Sequence, residues 1–274
     1  MKLVLTLICI INSIFVNAQS LSETLRFADS LYTNQTYELA TESYKRVLFF
    51  DKNGVYTNQT YPKIADCLFQ TEKYDEAATY FDLAYFSESN EEKKSDHLLK
   101  KAASLLILKQ YDYALIEIYN LPEALTEEQQ KEKNTLEAII YFAKNEFEAS
   151  RNSFNQVASD TTKINSLFVQ NKKVDRIKPK TAKVLSMIIP GLGQLYVGDI
   201  KNGLNSFILT GGLLTLGIHS AIVNSPLDAA FAVLPWFQRY YQGGFKKAEI
   251  IAKAKIDEKR FAIYNKLLDN IQPN

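Results

Sequence analysis

Tyr37-Glu38-Leu39-Ala40, Tyr74-Asp75-Glu76-Ala77, Tyr111-Asp112-Tyr113-Ala114 and Phe147-Glu148-Ala149-Ser150 are four copies of one pattern, an aromatic followed three residues later by a small side chain. The copies lie 37, 37 and 36 residues apart. Each has further partners at matching offsets. A small residue lies nine before the aromatic (Ala28, Ala65, Ala102, Ala138), and a large one three beyond that (Leu31, Leu68, Leu105, Tyr141). Four beyond the second small residue stand Tyr44, Phe81, Ile118 and Phe154, and three further on Val47, Ala84, Leu121 and Val157. Steps of three and four put these side chains on one helix face. The spacing predicts two helices per unit, joined by a tight turn such as Gln70-Thr71-Glu72-Lys73. The small residues let helices approach closely and the aromatics fill the gaps. A period of this length signals a stack of like units.

Tyr61, Ile64, Ala65, Leu68, Tyr74, Ala77, Phe81 and Ala84 resemble a tetratricopeptide repeat, and the likeness extends over about half the chain. The expected fold class is all-α: a tetratricopeptide-like helical-hairpin solenoid over residues 19–160, about four helix pairs, followed by a small helical membrane-associated module. Two departures stand out. The spacing exceeds the family's usual value of about 34 residues, which predicts longer loops. The proline that customarily ends each unit is missing, although Pro122 lies near the end of the third.

The resemblance implies a concave face lined by the first helix of each pair. Positions one, four and five beyond the first small residue would point into it: Asp29, Tyr32 and Thr33; Asp66, Phe69 and Gln70; Ala103, Leu106 and Ile107; Ile139, Phe142 and Ala143. Carboxylates at one end and apolar groups at the other would suit a peptide carrying basic and apolar side chains. The expected groove is Asp29, Tyr32, Asp66, Phe69, Gln70, Leu106, Ile139 and Phe142. Burial of Leu106, Ile107, Ile139 and Phe142 against a following element is the competing reading, since a repeat stack needs a cap.

Charge and glycine divide the chain. Residues 19–160 carry 15 basic and 24 acidic groups, and residues 161–274 carry 16 and 7. Nine of the ten glycines fall between Gly191 and Gly244. A net charge of +1 over 274 residues speaks against a nucleic-acid binder. The 46% hydrophobic content excludes wholesale disorder. At the N-terminus, Met1-Lys2, an apolar run from Leu3 to Val16 and Asn17-Ala18 read as a secretory signal, residues 1–18, removed after Ala18; an uncleaved anchor is the alternative. Cys67 is then the sole remaining cysteine, read as a small core residue.

The basic run Lys172, Lys173, Arg176, Lys178, Lys180 and Lys183 is expected in a linker, residues 161–182, either solvated or resting on anionic headgroups. Residues 183–245 form a glycine-rich module. Leu204–Val223 is twenty residues without a formal charge, enough to cross about 30 Å of hydrocarbon. A second apolar run, Ala229–Phe237, ends near Trp236, Arg239, Tyr240 and Tyr241, as an interfacial belt would. The expected arrangement is a helical hairpin preceded by a bent segment, with membrane lipid contacted through 183–245. Pro190, Gly191, Gly193, Gln194, Tyr196 and Gly198, with Gly203 beyond, resemble the P-G-x-G-Q-x-Y-x-G segment of small bacterial membrane modules and are loosely similar to two-span transmembrane domains. An amphipathic helix is expected over 246–274.

No catalytic, cofactor or metal constellation is present in the pattern. His97 and His219 stand in different modules without flanking ligands, and Glu88–Asp96 lacks the order of a calcium loop. The expectation is a non-enzyme without cofactor or small-molecule substrate: an exported, membrane-anchored scaffold that binds a protein or peptide partner in a bacterial cell envelope. The alternative is a subunit of a membrane complex whose active part is the glycine-rich module, with the repeats as docking arm.

Overall fold

A computed structural model describes residues 20–271. The signal segment and its cleavage point lie outside the described residues. Those described are helical, without strands, and the chain divides into two compact units between Val157 and Ala158.

The first unit is a succession of antiparallel hairpins: α1 (Leu21–Thr33) with α2 (Tyr37–Phe50), α3 (Thr57–Gln70) with α4 (Tyr74–Ser87), α5 (Glu91–Ile107) with α6 (Tyr111–Tyr119), and α7 (Glu127–Ala143) with α8 (Phe147–Val157). Neighbouring helices pack consecutively, which makes the unit solenoid-like. All eight small positions of the repeat, Ala28, Ala40, Ala65, Ala77, Ala102, Ala114, Ala138 and Ser150, lose their entire accessible surface. Tyr44, Phe81, Ile118 and Phe154 fill the space that these small residues leave, and each is buried. Ser150 stands where the other units have alanine. Its hydroxyl would be costly to bury alone, and it donates to the Ala138 carbonyl at 2.8 Å. Burying a side chain such as Phe81 contributes about 1.5–3 kcal/mol.

The four turns are one structure built from different residues. Gln35, Glu72, Lys109 and Asn145 hold φ of 59°, 60°, 60° and 63°. The amides of these residues donate to Tyr32, Phe69, Leu106 and Phe142 carbonyls at 2.9–3.1 Å. The next amides, from Thr36, Lys73, Gln110 and Glu146, reach back to Leu31, Leu68, Leu105 and Tyr141 at 2.8–2.9 Å. This paired closure satisfies carbonyls that a helix end leaves open. Helix starts are capped locally. Ser20 and Glu23 form a reciprocal capping box at α1, and Thr126 and Gln129 form another at α7. The longer loops are held by acids: Asp51 accepts from the Val55 and Tyr56 amides, and Glu88 from those of Ser89 and Asn90. Helix α5 starts at Glu91, so most of the Glu88–Asp96 stretch is helix.

The second unit comprises α9 (Thr161–Val174), α10 (Pro179–Ile188), the short α11 (Leu192–Tyr196), α12 (Ile200–Val223), α13 (Pro226–Ala232) and α14 (Leu234–Asp269). Two expectations are corrected. Residues 161–182 are no linker: Ile164, Leu167, Phe168 and Val174, at helical spacing, are buried, and α9 packs along α14 with Asp175 and Arg260 paired at 2.7 Å. The second apolar run is no separate element, because Ala229–Ala232 belongs to α13 and the rest opens the 36-residue α14. That helix passes through Gly243-Gly244 and so begins well before residue 246. A glycine inside a helix costs about 1 kcal/mol. At Gly244 a β-carbon would fall 2.7 Å from the Ser206 hydroxyl on α12, so that side chain would have to turn away.

Candidate functional site

In the first unit, the residues expected to line a groove are largely engaged within the stack. Tyr32 packs edge-on against Tyr37 at 5.9 Å between ring centroids, Phe69 against Tyr74 at 5.2 Å, and Phe142 against Phe147 at 5.3 Å. Leu106 and Tyr111 occupy the same two places in the third hairpin, half-buried against its core. Position four beyond the first small residue therefore recurs because it clasps the hairpin where the second helix begins. Phe142 is buried, Ile139 is half-buried, and Gln70 and Ile107 are exposed. Asp29 accepts a hydrogen bond from Tyr44 at 2.6 Å. Burial first, then that bond, pushes the phenol of Tyr44 well above its ordinary pKa.

Between the hairpins the contacts are polar. Lys63 lies 4.0 Å from the centroid of the Tyr32 ring, and Lys100 pairs with Asp66 at 2.7 Å. Lys101 bridges Asp82 on α4 and Glu117 on α6. Burial alone would lower its pKa, but the two hydrogen bonds more than reverse that. Gln129 donates to Asp96 and to the Glu92 carbonyl, tying α7 to α5. Apart from Phe27 and Ile107, large exposed apolar side chains of the hairpins sit on the second helices, among them Leu39, Phe49, Leu83, Phe86, Tyr113 and Ile116. The sequence signal for them was available, since they fall outside the core positions of every repeat.

Cys67 is fully buried, and burial pushes its thiol up to about 11, so it has no nucleophile at neutral pH. His97 is buried with neither ring nitrogen hydrogen-bonded, and burial, then Lys100, lowers its pKa. Among the described residues no group of three or more His, Cys, Asp or Glu side chains is placed to hold a metal ion.

In the second unit each position of the glycine-rich motif has a structural task. Pro190 cannot continue α10. With Gly191 it makes a tight turn closed by the Leu192 amide on the Ile189 carbonyl at 3.0 Å, and Gly191 takes φ of +91°. A β-carbon on Gly191 would lie 2.1 Å from the Gly203 carbonyl oxygen, and one on Gly193 would lie 1.8 Å from that of Ala182. A β-carbon on Gly203 would meet Leu195 at 2.8 Å. Gln194 is completely buried. Its Oε1 accepts from Ser186 at 2.7 Å, and its Nε2 donates to the Gly244 carbonyl at 2.9 Å. The Gly193 amide donates to the same Ser186 hydroxyl at 2.9 Å. Tyr196 donates to the Arg176 carbonyl and accepts from the Lys178 amide, bridging the chain between α9 and α10. Gly198 takes φ of +86°, where the chain leaves α11. The motif is thus a clamp that joins α10, α11, α12 and α14 around one buried amide.

Helix α12, 24 residues long, is apolar enough to cross a membrane, and only 6% of its apolar window is buried. Leu204, Phe207, Ile208, Leu214, Ile218 and Ile222 all face outward.

No family model, curated protein or solved structure matches the chain. Its class is defined by architecture: an all-α protein with a solenoid-like stack of helical hairpins and a second helical unit bearing one helix long and apolar enough to span a bilayer.

Proposed function

We propose that the chain is an exported, membrane-anchored scaffold of tetratricopeptide-repeat type that works in a bacterial cell envelope. Its second unit holds it at the membrane and its first engages a protein or peptide partner. The observation that carries the reading is the outward apolar surface of α12 together with exposed Leu227 and Phe231 on α13 and Leu234 and Trp236 on α14. A water-soluble domain seldom leaves so large a contiguous apolar surface open, whereas hydrocarbon covers it without cost. The repeat assignment is supported by the common hydrogen-bond pattern of the four turns and the buried small residues at one period. The partner surface is drawn from what the stack leaves open: Gln70 and Ile107 on the first helices, and Leu83 and Phe86 on α4.

The test is fractionation followed by capture. Full-length protein should stay in the membrane pellet through a carbonate wash, and its release would overturn the anchoring. A partner co-purified with the wild type should be lost with Ile107→Lys or Phe86→Ser at unchanged helicity. Retention by both would remove these surfaces from the partner site. The second reading, an active glycine-rich module with a docking arm, is favoured by one observation alone, a cavity beside the clamp whose lining includes Arg239 and Lys247.

A further inference from the structure

That cavity, of about 370 Å³, lies between α12 and α14 next to Gln194. Its volume suits a small ligand or a headgroup. We propose that it binds a phosphate-bearing anion: the headgroup of an anionic phospholipid or a soluble phosphate ester. The inference goes beyond the scaffold reading and holds whether or not the repeats capture a partner.

Charge comes first. The lining includes the cations Arg239 and Lys247 and no carboxylate. Arg239 has no ion pair among the described residues. Lys247 donates to Asn202 Oδ1 at 2.7 Å, which uses one of its three N–H donors. Arginine and lysine together are the usual recognition pair for phosphate oxygens.

The hydroxyls point the same way. Thr210 is only 2% exposed, lines the cavity, and has no hydrogen-bond partner for Oγ1; Ser206 Oγ beside it is likewise buried without one. A helical threonine normally bonds back to the carbonyl four residues earlier. Thr215 in the same helix does so, donating to Gly211 at 2.9 Å. Thr210 forgoes that bond, and leaving a buried hydroxyl unpaired costs about 1–3 kcal/mol. Neither oxygen exposes surface to the cavity as it stands, and rotation about χ1 would bring each hydroxyl to the wall, where a ligand oxygen would accept from it.

Position and shape complete the case. Asn202, Asn205, Ser206 and Thr210 follow one face of α12 from its polar start into the apolar stretch that opens at Leu204. With α12 across the bilayer, a lipid phosphate would lie at this depth and its acyl chains would run alongside the outward apolar face. Gly243 on α14 borders the cavity, and a β-carbon there would meet nothing within 4 Å. A large side chain at this position would stand at the cavity's edge and narrow its opening.

Trp236, the one tryptophan in the chain, lies a helical turn before Arg239 and serves as the fluorescence probe. The experiment titrates full-length protein in neutral detergent with dioctanoyl phosphatidylglycerol, with dioctanoyl phosphatidylcholine and with inorganic phosphate, reading tryptophan fluorescence. Saturable binding of the anionic lipid is expected, weakened about tenfold or more by R239Q and by K247Q. G243F should abolish it, and K246Q, which removes a charge outside the cavity, should leave it intact. Saturation by inorganic phosphate alone, with the same variant pattern, would assign the site to a soluble phosphate ester. Absence of saturable binding by lipid and phosphate alike would overturn the proposal. Binding that survives G243F, or falls as much with K246Q as with R239Q, would also overturn it. Helicity by circular dichroism checks that each variant folds. Carbonate release of the protein would refute membrane anchoring but leave the phosphate arm readable, so the two failures are distinguishable.

Discussion

The turns of the two units solve one problem with opposite chemistry. Within the four hairpins, the left-handed turn position is held by Gln35, Glu72, Lys109 and Asn145, and glycine takes it only in the loop between hairpins, at Gly54 with φ of +68°. In the second unit, Gly191 and Gly198 hold it. Backbone angle explains part of the difference, because φ of 59–63° lies in the left-handed region that other residues reach at modest cost, whereas +91° and +86° lie beyond it. Crowding explains another part. Gln35, Glu72, Lys109 and Asn145 are exposed, whereas Gly191, Gly193 and Gly203 stand where a β-carbon would strike backbone or a packed side chain. Gly198 has open space around it and answers to its angle only. The repeat unit therefore tolerates sequence drift at its turns, while the clamp does not.

The sharpest break of that comparison is Gly193→Ala. Its methyl would lie 1.8 Å from the Ala182 carbonyl oxygen and 2.5 Å from the Ser186 hydroxyl. Backbone cannot yield there without parting α10 from α11. Overpacking of this kind typically costs about 1–3 kcal/mol, and more where backbone is struck. We expect loss of the folded second unit, measured as protease sensitivity of residues 158–271 in detergent, while α1–α8 stay protected. Equal protection of both units in the variant would show that the clamp is looser than the close approach implies.

Next in size is Phe69→Ala. The Phe69–Tyr74 ring pair fastens the second hairpin at its turn. Truncating a half-buried aromatic should cost about 2 kcal/mol, read as a lower melting temperature of the first unit. Leu83→Ser, on an exposed position of α4, should change the melt by less than about 0.5 kcal/mol. Partner loss without a melting change at Phe69 would restore it as a binding anchor.

The architecture was legible wherever a position answers to one constraint. Ala28, Ala65, Ala102 and Ala138 recur because a larger side chain would part the helices, so spacing alone located both helices of each hairpin. The groove was less legible, because Tyr32, Phe69 and Phe142 answer to two constraints. They follow the core helix at the offset a concave face requires, yet the aromatic that opens the next helix lies five residues on and captures each ring. Offset counts cannot distinguish a ring facing outward from one folded over its own turn. In the second unit, the basic run from Lys172 to Lys183 masks the buried stripe of α9, because its charges overlap the end of the helical spacing set by Ile164, Leu167, Phe168 and Val174. The motif itself was visible. Its partners were not, because Gln194 bonds to Gly244, fifty residues away.

His97 offers a milder test, confined to the first unit. Its folded pKa is held below the ordinary value near 6.5, by burial first and by Lys100 next, against the opposing pull of Glu88, Asp96 and Asp66. The folded state thus keeps the ring neutral where the unfolded chain would bind a proton. Its contribution is fully present above about pH 6.5 and is lost as the pH falls below that, at up to about 1.4 kcal/mol per pH unit. Denaturation of the repeat unit followed between pH 7.5 and 5 should show this slope, and His97→Leu should flatten it. An unchanged slope in the variant would place the acid sensitivity elsewhere.

The smallest effect sharpens the comparison between the turns most finely. Lys109 holds φ of +60° with an exposed side chain, so nothing but its own β-carbon opposes the angle. A left-handed residue that is not glycine gives up about 1–2 kcal/mol relative to the right-handed region. Glycine removes that cost but loses about 0.5–1 kcal/mol more conformational entropy on folding. Lys109→Gly should therefore stabilise the first unit by roughly 0.5 kcal/mol, and Glu72→Gly by a similar amount. Asn145, at φ of +63°, is the residue type best adapted to this region among those with side chains. Its replacement by glycine should leave stability unchanged or slightly lower, because the entropic loss remains while the strain relieved is small. Denaturant midpoints of the three variants, measured at constant slope, make the comparison. A gain at Asn145 as large as at Lys109 would mean that the turns are strained by something other than the β-carbon. A loss at Lys109 would mean that its side chain contributes more to the turn than its exposure indicates.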